Sequence, residues 1–140
     1  DAGAGTRLMS DGDVAGGINA ARHDARTDMC VGVGGSPEGI VTACAIKALG
    51  GHIQGRLWPR DDDERQRGID AGLDMDKVYE ADDLVQGNNT IFVATGVTDG
   101  QLVAGVRRER GYVYTESVVL RGASGTLRRI ASEHLVSKWL

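Results

Sequence analysis

The residues with the clearest chemical potential lie in the stretch GVGGSPEGI, residues 32–40. Gly32, Gly34 and Gly35 follow the apolar run Met29-Cys30-Val31 and lead into Ser36-Pro37-Glu38. Small residues that expose backbone N–H groups at a helix N-terminus make a cradle for an anion. Glu38 complicates that cradle. With Ser36 as N-cap and Pro37 as N1, it falls at N2, one position short of a capping box. A carboxylate there gains about 0.3 to 1 kcal/mol from the helix dipole while pointing to water, which is its simplest role. Beside a bound phosphate, like unit charges about 4 Å apart repel by roughly 4 kcal/mol at an effective dielectric near 20, more than the dipole returns. A divalent cation between them removes the conflict. Mg2+ and Mn2+ take carboxylate and phosphate oxygens, whereas His23, His52 and His134 are scattered and give no zinc spacing.

Two further loops have related chemistry: SDGD at residues 10–13 and TGVTDG at residues 95–100. An isolated Asp-Gly is ordinarily a turn. Three such loops at successive strand exits are a stronger signal, because ligands of open α/β sheets bind beyond the carboxyl ends of the strands. Two nucleotide motifs are excluded. Gly34 and Gly39 satisfy the glycine frame of a P-loop, but Ile40-Val41 stand where Lys and Ser/Thr are needed. The dinucleotide fingerprint fails at Pro37, and the next strand ends at Leu57-Trp58-Pro59 without an acid for a ribose.

The elements that would position these loops alternate along the chain. Extended runs are expected at residues 6–9, 28–33, 52–58 and 77–79, with a strongly apolar buried strand at 90–94. Helices are expected from an Asp13 N-cap to about residue 22, although Gly16-Gly17 weaken it, and at 37–49, ending at Gly50-Gly51. A polar helix at 61–71 carries acids in its first turn, and 81–85 forms a helical turn. After Gly100 the period changes to alternation, with two extended runs joined around residues 122–125 as an antiparallel hairpin. Repeated βα units followed by a hairpin predict a single α/β domain, a three-layer sandwich with a mixed sheet.

Composition narrows the function classes. The 140 residues are 41% hydrophobic, have no apolar run long enough for a bilayer and carry a formal charge of -4, with only 4% aromatic residues, unlike a basic, aromatic-interleaved nucleic-acid face. Glycine, at 21 residues, is about twice its usual share but punctuates periodic segments and shows no repeat. Cys30 and Cys44 lack CxxC spacing and are expected as buried, inert thiols in a reducing compartment. The N-terminus has neither a signal-peptide pattern nor an initiator Met, so the chain is expected to begin inside a longer protein. Arg107-Arg108-Glu109-Arg110 reads as a solvated turn, with contact to an anion or a partner subunit as the alternative.

Taken in order, LMSDGDVAG, GVGGSPEGI, ALGGHIQGRLWPRDDDER, ATGVTDG and TESVVLRGASGTLRR run over nearly the whole chain. In this series the sequence resembles class II fructose-1,6-bisphosphatase, the bacterial type whose cyanobacterial relatives also act on sedoheptulose-1,7-bisphosphate. The resemblance implies a fold of the sugar-phosphatase superfamily type. It also implies Mg2+- or Mn2+-assisted hydrolysis of the C1 phosphate in gluconeogenesis, by a cytoplasmic homo-oligomer with a sugar bisphosphate substrate and no nucleic-acid or membrane partner. Glu38 matches a metal-coordinating glutamate; Asp11, Gly12 and Asp13 match a sugar-phosphate contact segment, and Gly35 matches another substrate contact. The likeness covers only the C-terminal part of the family. The N-terminal metal-binding domain, with its Asp-Pro-Ile-Asp-Gly-Thr type motif, has no counterpart here, and no general base is assigned. The chain alone is therefore expected to be an inactive C-terminal domain; a non-catalytic sugar-phosphate-binding or subunit-interface module of the same fold is the alternative.

Overall fold

The computed structural model describes residues 3–9 and 12–138. In chain order these form α1 (Asp13–Ala20), α2 (Ser36–Leu49), β1 (Gln54–Gly55), α3 (Asp62–Asp70), β2 (Tyr79–Glu80), α4 (Ala81–Leu84), β3 (Ile91–Thr95), β4 (Arg107–Glu109), β5 (Tyr112–Arg121) and β6 (Thr126–Leu135). The chain mixes helices and strands, as an α/β domain does, but α1 and α2 follow one another without a strand between them and β3 to β6 form a continuous run. None of the described helices is long and apolar enough to cross a membrane.

The expected hairpin is the largest single feature. β5 and β6 pair over ten residues each, from Tyr112 opposite Leu135 to Arg121 opposite Thr126, and Gly125 closes the turn at φ 58°. On its other edge β5 pairs with β3 and, further along, with β4. Register puts Phe92 opposite Leu120 and Ala94 opposite Val118 on one face. That face meets Ala45 and Ala48 of α2 and Ile18 of α1 in the core, with Leu102 and Val103 completing it. Gly17 of α1 makes the helix pair close, since a Cβ there would lie 2.7 Å from Thr42 Cγ2 of α2.

The short helices follow their cap residues. Asp61 accepts from Glu64 N at 2.7 Å at the start of α3, which accounts for the run of acids as helix-start chemistry. Lys47 of α2 reaches the carbonyl of Val85 and the carboxylate of Asp82, each at 2.7 Å, and ties α2 to α4.

Several expectations are corrected. All four pairings, including β1 with β2, are antiparallel. The strands expected at 6–9 and 28–33 are unpaired, so the parallel component of the expected mixed sheet is not formed among the described residues. Parallel strands are stable when both faces are covered, yet Val31 and Val33 remain 82% and 75% exposed. Cys30, on the same run, is exposed and Cys44 half-buried, against the expectation of two buried thiols. The run at 52–58 keeps only β1, leaving Trp58 exposed. β3 is buried on one face only: Phe92 is inside while Ile91 and Val93 are 62% and 59% exposed.

Candidate functional site

The site begins with two helix starts. α1 is capped by Gly12 rather than Asp13; Gly12 is left-handed at φ 90°, ψ 37°, a conformation that suits glycine, and its carbonyl accepts from Gly16 N at 2.9 Å. Asp13 becomes the first helical residue. α2 likewise starts one residue earlier than expected, because Gly39 N donates to Gly35 O at 3.0 Å and makes Gly35 the N-cap. Glu38 is therefore at N3, the position from which a glutamate folds back over its own cap. It does so: its Oε2 occupies the space that a Cβ on Gly35 would need. Thr42 Oγ1 donates to Glu38 O at 2.7 Å within the same helix.

Asp13 closes the other side of the glycine pair. Its Oδ2 lies 2.6 Å from where a Cβ on Gly34 would be. Gly34 and Gly35 thus separate two exposed carboxylates, Asp13 and Glu38, brought together from two helices. Of the residues named from sequence, Gly12, Asp13, Gly35 and Glu38 converge here; Asp11 lies outside the described residues. Gly34 belongs to the expected glycine cradle without a contact assigned to it; the structure shows that it admits Asp13.

The third loop lies across a groove from the start of α1 and lines nothing of the glycine pair at residues 34–35. A groove of about 370 Å3 is lined on one side by Gly12, Val14 and Ala15 and on the other by Thr95, Gly96 and Thr98. The loop at 96–106 is closed on itself: Val106 N donates to Val97 O at 3.2 Å, and Asp99 Oδ1 accepts from Gly105 N at 2.9 Å. Asp99 is spent on loop architecture. Gly96 and Gly105 make the crossing possible, since a Cβ on Gly96 would run into the carbonyl of Ala104 and one on Gly105 would sit 2.5 Å from the Thr98 carbonyl carbon. Glu116 of β5 braces the loop, accepting from Ala104 N at 2.7 Å and from Arg129 Nη1 at 3.2 Å. Sequence reading missed Glu116; an acid set in the alternating hairpin was its only trace.

The donor set is one of hard oxygens, suited to a divalent cation of the Mg2+ type, which binds through one or two carboxylates together with water and phosphate oxygens. No cluster of three or more His, Cys, Asp or Glu side chains arranged to hold a metal occurs among the described residues. The donors fit such a cation in kind and fall short of a complete protein cage.

The family model described as bacterial fructose-1,6-bisphosphatase, glpX-encoded, matches residues 1–134. The chain belongs to this family. It is 39% identical to the fructose-1,6-bisphosphatase class 2 of Haemophilus influenzae, over 94% of its own length and 44% of that protein's. To the fructose-1,6-bisphosphatase 1 class 2 of Escherichia coli K12 it is 38% identical, over 96% of its own length and again 44% of the relative's. The chain therefore spans less than half the length of the curated relatives it matches.

Proposed function

We propose that this chain is the C-terminal domain of a two-domain, metal-dependent phosphatase that hydrolyses the C1 phosphate of fructose-1,6-bisphosphate to give fructose-6-phosphate. The observation that carries the reading is the placing of Asp13 against Gly34 and of Glu38 against Gly35, on neighbouring glycines, within a family whose relatives are named for this activity. In it, Glu38 is one ligand of Mg2+ or Mn2+, which when bound neutralises phosphate charge and acidifies a water. The Gly12–Asp13 helix start holds the sugar phosphate: the carboxylate accepts from sugar hydroxyls, and Gly12 keeps Cβ bulk away from the ligand. Gly35 lets the substrate approach the backbone at the start of α2. In the complete enzyme the unpaired runs at 28–33 and 6–9 enter the sheet of a three-layer sandwich, and the remaining ligands come from the portion of the family that has no counterpart here.

The purified 140-residue chain should release no phosphate from fructose-1,6-bisphosphate with Mg2+ or Mn2+. The same chain, extended at its N-terminus by the part of the Haemophilus influenzae relative that it does not match, should release it in a metal-dependent way. Turnover by the chain alone overturns the divided site. Inactivity of the extended, folded protein overturns the assigned reaction.

A further inference from the structure

Alternate residues of β5 point to one face of the sheet, and along that face their uses divide into three. Leu120 and Val118 lie in the core, and Glu116 braces the loop at 96–106, but Tyr114 and Tyr112 take part in neither. The two rings lie 6.4 Å apart, centroid to centroid. Register puts a neighbour on each side of them. β4 sets Arg107 opposite Tyr114 and Glu109 opposite Tyr112, while β6 sets Glu133 opposite Tyr114 and Leu135 opposite Tyr112. Tyr112 and Leu135 are 37% and 36% exposed. The stretch read from sequence as a solvated turn is thereby divided. Arg110 and Gly111, left-handed at φ 48° and 81°, make the turn between β4 and β5. Arg107 instead lies on the Tyr114 ring, its guanidinium carbon 4.6 Å from the centroid.

Partly exposed tyrosines with a stacked arginine are the residue types that carry binding energy at protein interfaces. The charges indicate the occupant. Arg107 has a carboxylate on its own strand, Glu109, only at 3.9 Å, and Glu133 forms no ion pair among the described residues. This cation and this spare carboxylate stand on opposite sides of Tyr114, at the same level of the strands. We propose that the tyrosine face is a two-fold interface with a second copy of the chain. A rotation axis parallel to β5 and above the tyrosines lays the β4 edge of one copy over the β6 edge of the other. Arg107 of each copy then meets Glu133 of the other, twice by symmetry, with the tyrosines of both copies at the centre. A surface carrying one sign of charge could not complete itself in this way. The face includes no residue of the candidate site, so the pairing holds whatever the substrate.

Sedimentation velocity tests the pairing on the chain extended with the unmatched part of the Haemophilus influenzae relative, which should dimerise between about 1 and 100 µM. Arg107→Glu and Glu133→Arg each set like charges together twice, and each should weaken dimerisation by about ten-fold or more. An equimolar mixture of the two variants restores opposite charges at both contacts. It should form a heterodimer within about three-fold of the unmodified affinity, and the double variant R107E/E133R should do the same as a homodimer. Rescue by mixing also shows that each variant is folded. Dimerisation that both single variants leave unchanged, or that the mixture fails to restore, overturns the proposal. A monomeric extended protein overturns it too, and a dimeric 140-residue chain beside it assigns the tyrosine face to the rest of the protein.

Discussion

At the scale of single residues, Glu38 is held less by burial than by position. Its carboxylate folds over Gly35 at the start of α2, where it shares the corner with Asp13. A glutamine keeps the length and the fold-back but loses the charge. In the extended, active protein Glu38→Gln should lower turnover by about a hundredfold or more, the scale of losing a charge-stabilising contact, and should shift the Mg2+ concentration for half-activity upward. Thermal stability should move little, because an exposed first-turn carboxylate contributes only about 0.3 to 1 kcal/mol. Unchanged metal dependence would remove Glu38 from the site. Its place beside the glycine cradle was legible in the sequence, where a charge next to small residues at a helix start poses a physical conflict. Its position at N3 was not, since Ser36 is a better cap by residue preference than Gly35, and only the bond from Gly39 N to Gly35 O decides between them.

At the scale of elements, the α2 helix, the acid-started α3 and the β5–β6 hairpin were readable because each is specified locally, by caps, glycine stops and alternation. The runs at 28–33 and 52–58 have equally good strand composition yet largely lack partners, since a strand's pairing depends on what lies beside it and not on its own residues. The loop at 96–106 shows a third case: TGVTDG was legible as a loop, but its closure depends on Glu116 and on a backbone crossing that no local pattern encodes. That crossing makes a sharp prediction. Gly96→Ala forces a methyl group against the carbonyl of Ala104, and should destabilise the chain by about 1 to 3 kcal/mol in denaturant unfolding, as overpacking does. Gly100→Ala, in the same loop, meets no atom nearer than the Val103 carbonyl oxygen at 3.6 Å and should cost less. Equal losses at the two glycines would mean that the crossing is not closed.

At the scale of the whole molecule, the sheet is a wall with one side furnished. Leu120 and Val118, fully buried, hold α1 and α2 against the inner face, while Ile91 and Val93 face outward from the neighbouring strand. The two sides should answer differently to the same kind of truncation. Leu120→Ala removes buried methyl groups and leaves a cavity, and should cost about 2 to 5 kcal/mol in the chain alone and a similar amount in the extended protein. Val93→Ala removes no buried contact in the chain alone and should stay within about 1 kcal/mol there, most of it strand propensity. If the three-layer sandwich proposed for the complete enzyme covers the outer face, the cost of Val93→Ala in the extended protein should rise by about 1 kcal/mol or more, approaching that of a buried valine. The ratio of the two effects in each length of chain, measured by urea unfolding, therefore reads out whether the outer face has become interior. A Val93→Ala cost that does not change on extension would mean the sheet stays one-sided, and the rest of the protein would have to be attached elsewhere.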